Sequence, residues 1–164
     1  MSDSVQAVTS SCGLLAAIRT PACALAVWPE AIDLPELAPG WSRRMHAWRG
    51  PLQPELADPD AICAAVDAEP SAALTAALRQ FIDVAASIHG ARPFELRIDV
   101  ISSTMCRWFH ADQVALRLLL TLAGAGTECL PVPTAIRAGL SSGLQAAPAG
   151  WTPLTCECGV PQLP

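Results

Sequence analysis

The stretch Cys106-Arg107-Trp108-Phe109-His110-Ala111-Asp112 holds the residues best suited to chemistry in this 164-residue chain. In an extended backbone alternate side chains point the same way, so Cys106, Trp108, His110 and Asp112 would share one face. An imidazole and a carboxylate two residues apart can grip one ion. They are two of the three ligands in the two-His, one-carboxylate set of non-haem iron enzymes, which makes Fe(II) a candidate cofactor. A thiolate at Cys106 would favour zinc instead. With His110 as its base, the same thiol could act as a nucleophile. The structural alternative stands beside all three. A His-x-Asp pair is common and often amounts to a histidine held by a hydrogen bond, and a cysteine is often only a small buried residue.

Three further residues are candidates for substrate contact. Arg117 could hold an anionic small molecule as a bidentate donor, although an unbroken strand would set it on the face opposite His110. Thr127 and Glu128 would shape a turn or line a pocket. The turn Gly124-Ala125-Gly126-Thr127-Glu128 is not a phosphate loop, because it lacks the Gly-Lys-Ser/Thr ending. Cys156-Glu157-Cys158 offers two thiols on a proline-rich tail; a closed zinc site needs four ligands, so the pair reads as noise.

The elements that must position these groups can be read along the chain. Ala24 to Trp28 could be a strand that Pro29 ends. Trp41 to Trp48, with Arg43, Arg44 and His46, reads as cation–π packing. Asp58-Pro59 is an N-cap and first-turn signal for a helix through Ile62, Cys63 and Val66. Ser71 starts a longer helix whose Leu74, Leu78, Phe81, Ile82, Ala85 and Ile88 line one face, with His89 in the last turn and Gly90 as the stop. After Pro93, Phe94, Leu96, Ile98 and Val100 alternate with charged residues, the pattern of a half-buried strand. The apolar run Val114 to Leu122 reads as a strand buried on both faces. Helices first and strands after predict an α+β fold: N-terminal helices, then a partial, mostly antiparallel β core.

Composition narrows the function classes. Hydrophobic residues make up 52% and charged residues 15%, which excludes a disordered acidic chain. A net charge of −5, with Arg43-Arg44 the only adjacent basic pair, argues against nucleic acid as a partner. No run reaches the roughly 18 to 20 apolar residues of a membrane helix. The start Met1-Ser2-Asp3-Ser4 lacks the basic region of a secretory signal, so the cytoplasm is the expected location. Seven cysteines without paired spacing are most simply free thiols in a reducing compartment. Lys, Tyr and Asn are absent altogether, the imprint of a GC-rich genome.

The Cys106–Asp112 motif, followed by Leu116-Arg117-Leu118-Leu119, the Gly124–Glu128 turn and Leu130-Pro131, resembles the uncharacterised proteobacterial family called domain of unknown function 1826. Ala135-Ile136-Arg137-Ala138-Gly139-Leu140 continues the likeness. Ala125 departs from the family's usual proline, and Cys129 from its usual aromatic residue. Members also run on through a hydrophobic strand and a His-Arg-Ser-Pro motif, whereas no histidine follows His110 here. The resemblance implies a single domain over residues 1–140, with 141–164 an irregular Pro/Gly-rich tail, in a truncated or frameshifted copy. An early His-x-Asp and a late histidine imply a metal site on a small barrel-like core, here an incomplete double-stranded β-helix. The layout is similar to oxygenases using iron and 2-oxoglutarate. On that expectation His110 and Asp112 are two ligands without a third, and this copy is incomplete and inactive. Two alternatives stay open, a non-enzymatic zinc-handling or regulatory protein and a purely structural α+β domain. Whether the chain is an enzyme, and its oligomeric state, are open at this point.

Overall fold

The computed structural model describes residues 5–20, 23, 25–28, 32, 45–101, 116–124, 128–129, 154–157 and 160–161. The chain divides into two compact units, one made of Met1–Ala31 with Thr104–Pro164 and the other of Ile32–Ser103. The architecture is α+β, with three helices and three small sheets among the described residues.

The continuous unit is built on a helix pair. Pro59 has no N–H to lose in a first turn, and the Asp58 carboxylate accepts from the Ala61 N–H at 3.1 Å, so α2 starts at once and spans Pro59–Val66. Ser71 caps α3 (Ala72–His89) in the same way, its hydroxyl accepting from the Leu74 N–H at 3.1 Å. The apolar spacing expected of α3 is the face it buries: Leu74, Ala77, Leu78, Ile82, Ala85 and Ile88. Phe81 is only half-buried, one position off that stripe. Gly90 ends the helix with φ 72° and ψ 42°, and the N–H groups of both Gly90 and Ala91 donate to the Ala86 carbonyl, at 2.9 and 3.0 Å.

Between the helices the chain reverses through a buried polar joint. Cys63, Val66 and Asp67 are the largest side chains almost wholly removed from solvent. Asp67 Oδ1 accepts from the Glu69 N–H at 3.1 Å, an Asx turn that brings the chain round to Ser71. The Val66 carbonyl, left over at the end of α2, accepts from the His46 N–H at 2.7 Å. That bond ties the helix end to the segment leading into β3, Trp48–Leu52.

β3 pairs antiparallel with β4, Phe94–Ile98, with Trp48 opposite Ile98, Gly50 opposite Leu96 and Leu52 opposite Phe94. These six make the inward face, where Leu52 and Leu96 are buried. The Trp48 ring lies across Gly50 so closely that a β-carbon there would come within 3.0 Å of it. On the outer face Arg49 and Arg97 stand directly opposite each other. Each has its own carboxylate, Glu95 for Arg49 and Asp99 for Arg97, both at 2.9 Å. These pairs are exposed and offset the like-charge contact more than they stabilise the fold.

The other unit holds a small crossover. β1 (Val5–Ala7) and β2 (Leu25–Val27) pair in parallel, joined through α1, Ser11–Ile18. The Ser10 hydroxyl caps α1 by accepting from the Gly13 N–H at 3.1 Å, and Ala17 and Cys23 are buried. The same unit carries an antiparallel sheet in the order β5 (Glu128–Cys129), β6 (Leu154–Glu157), β7 (Val160–Pro161).

Several expectations change. The strand expected to run to Val100 stops at Ile98, because β3 begins opposite that residue and Asp99 has no strand to pair with. Leu116–Leu122 is not a strand buried on both faces: it joins no ladder, and Leu119 is 62% exposed. An unbroken apolar run marks burial only when neighbouring strands cover it, and here the exposure alternates from Leu116 to Leu120. The α+β expectation holds, with N-terminal helices and then antiparallel pairing, and β1, β2 and β3 also lie before α2. Among the described residues the strands form three separate sheets and no closed barrel. Two of those strands, β6 and β7, lie within residues 141–164.

Three measurements follow from this packing. Gly90→Ala meets nothing within 4 Å, so only the left-handed backbone is charged. Urea unfolding should show a loss of about 1–2 kcal/mol. Ile82→Ala empties a buried position and should cost about 2–5 kcal/mol in the same assay, while exposed Asp83→Ala should stay within about 0.5 kcal/mol. The third concerns Cys63, whose thiol is pushed above its ordinary value of 9.0 chiefly by burial; the Thr75 hydroxyl opposes the shift and the charges of Asp60 and Asp67 add to it. The folded chain therefore holds that proton more tightly than the unfolded chain. The stability this contributes is complete below 9.0 and is lost as pH rises from there through the higher folded value. Cys63→Ala should flatten the fall in unfolding free energy above that pH; an unchanged slope would show that Cys63 is not its source.

Candidate functional site

Of the residues singled out for chemistry, the structure describes two. Arg117 is exposed, between half-buried Leu116 and Leu118. Exposure alternates along Leu116–Leu120 with the two-residue period of an extended chain, which turns Arg117 and Leu119 outward. Glu128 opens β5, where its backbone pairs with Thr155. Cys106, His110, Asp112 and Thr127 lie outside the described residues, as do Arg43 and Arg44.

The described residues offer no competing centre. Among them no group of three or more His, Cys, Asp or Glu side chains is gathered as a metal cluster. The nearest thing to a polar nest is Cys63 with Thr75, Asp60 and Asp67 around it. Its thiol is fully buried and biased toward the protonated form, the reverse of what a nucleophile or a metal ligand needs. Asp60 is also engaged outward, with Arg79 at 3.8 Å across the helix pair. His46 acts through its backbone, and its ring is exposed. His89 sits half-buried in the last turn of α3, as the sequence places it.

Sequence reasoning missed two elements of the fold. β3 was hidden because Gly50 and Pro51 interrupt any strand pattern; a two-stranded sheet tolerates the proline because both strands are edges. The sheet that Glu128 and Cys129 enter was hidden because β5 is two residues long. One signal could have found its partner. Thr155-Cys156-Glu157 is followed by Cys158-Gly159, two residues with glycine second, the spacing of a tight hairpin connection.

Among the described residues no helix is long and apolar enough to cross a membrane. Cys12, Cys23 and Cys63 are free thiols.

No curated protein and no solved structure matches the chain. The model of one family, described as Protein of unknown function (DUF1826), matches residues 9–155. That span takes in the Cys106–Asp112 motif, the Gly124–Glu128 turn and the chain beyond Leu140 as far as Thr155. It also covers α1, both capped helices and the β3–β4 pair. With most of its length inside that match, the chain belongs to the DUF1826 family.

Proposed function

We propose that this chain is a metal-binding protein of the non-haem iron, oxygenase-like kind, with His110 and Asp112 as ligands. One observation carries the reading: a His-x-Asp pair, the spacing that sets an imidazole and a carboxylate on one face of an extended chain, inside the span shared with the family. The donor set suits Fe(II), which when bound supplies Lewis-acid and oxygen chemistry. His110 would bind as the neutral imidazole and Asp112 as the carboxylate, so binding weakens in acid as either takes up a proton. Arg117, exposed and on a segment of alternating exposure, would hold an anionic substrate by paired N–H donors. Thr127 and Glu128 would border the same region. The acidic composition without a basic cluster supports a cytoplasmic bacterial protein that acts on a small molecule rather than on nucleic acid.

A second reading has its own observation. Cys106 occupies the same alternate series as His110 and Asp112, and a thiolate in the set favours zinc and a non-enzymatic, metal-handling role.

The test is metal content after anaerobic reconstitution with iron and, separately, with zinc. The expected result is about one metal per chain, lost in His110→Ala. Iron retained by Cys106→Ser supports the iron reading, and zinc lost in Cys106→Ser supports the second. No bound metal in the parent chain would overturn both and leave His110 and Asp112 as structural residues.

A further inference from the structure

The β3–β4 pair has two edges, and they are not equivalent. Opposed residues in an antiparallel pair alternate between those that exchange both main-chain bonds and those that exchange none. Pro51, opposite Glu95, has no N–H to give. The bonded pairs are therefore Trp48 with Ile98, Gly50 with Leu96 and Leu52 with Phe94. The main-chain groups of Arg49, Pro51, Glu95 and Arg97 point the other way, toward the edges. On the β3 edge the proline removes a donor and blunts further pairing. On the β4 edge Glu95 and Arg97 keep both N–H and carbonyl, and among the described residues no strand lies beside them.

The sequence of β4 is complementary to itself in one antiparallel register. A second copy of β4, related by a two-fold axis at Leu96, places its Arg97 opposite Glu95 and its Glu95 opposite Arg97. These are the residues whose main-chain groups face outward, so each of these pairs can exchange both bonds. On the inward face the same register sets Leu96 against Leu96, and Phe94 against Ile98 of the copy. Phe94 and Ile98 are only half-buried, so each has apolar surface left to cover. Sliding the register by two residues sets Glu95 against Glu95 or Arg97 against Arg97. Sliding it by one sets a charged side chain against the apolar face.

The charges argue for the same occupant. Charged residues guard a strand edge when an arriving copy brings like charge opposite, and here it brings unlike charge. The side chains are accessible for this, Glu95 at 54% and Arg97 at 48% of their surface. Arg97 already stands beside Arg49 within its own sheet, so a carboxylate arriving on its other side relieves that contact. We infer that the β4 edge is a self-association surface. Two copies join β4 to β4 in one continuous antiparallel sheet, with the proline-blunted β3 strands at its two outer ends.

The experiment follows the association of the full chain by sedimentation over a range of concentrations. The expected result is a two-chain species whose share rises with concentration. Arg97→Glu sets carboxylate against carboxylate across the axis, and Glu95→Arg sets guanidinium against guanidinium, so each alone should weaken association about tenfold or more. An equimolar mixture of the two variants should recover a heterodimer, because one copy then carries only carboxylates at these positions and the other only guanidinium groups. That recovery separates the surface from a folding defect. A parent chain monomeric up to about 1 mM, single variants that associate like the parent, or a mixture that fails to recover would each overturn the proposal. Amide exchange at Glu95 and Arg97 should slow as the dimer forms. Slow exchange of both amides in a monomer would place a segment of the same chain on this edge, and would overturn the proposal too.

Discussion

Asp67 is an acidic residue with 1% of its surface exposed, at the point where α2 gives way to α3. Burying a carboxylate is expensive unless its oxygens are bonded, and this one spends its Oδ1 on the Glu69 N–H, fixing the turn. Around it Val66 and Cys63 exclude water, and the Val66 carbonyl receives the His46 N–H. The turn from α2 to α3 and the approach to β3 meet at this joint. The polar groups supply direction, and the apolar burial on either side supplies the stabilisation.

What could be read from the sequence was whatever is decided locally. Asp58-Pro59, Ser71 and Gly90 act within a single helical turn, so the limits of α2 and α3 follow from residue type. The alternation of Phe94 to Ile98 is likewise local. What could not be read depends on a partner. Val100 fits a strand as well as Ile98 does, but β3 begins opposite Ile98. Leu116 to Leu122 fits a buried strand by composition, yet composition does not say whether neighbours arrive on either side. β3 itself, with Gly50 and Pro51, becomes a strand only because β4 lies beside it.

The candidate site divides along the same line. The types and spacing of Cys106, His110 and Asp112 are sequence properties and define which ions could be held. Arg117 shows why spacing is not enough: its outward placement is read from the alternating exposure of its own segment.

The division of the chain also has a consequence in time. Ile32–Ser103 is continuous, whereas the other unit is assembled from Met1–Ala31 and Thr104–Pro164. During synthesis, at about 5–20 residues per second, the β1–α1–β2 crossover is made first and must wait several seconds for the residues that complete its unit. The inserted piece, with its local helix pair and a two-stranded antiparallel sheet, is complete in the chain by then. The continuous unit therefore has all of its residues available before the discontinuous one does.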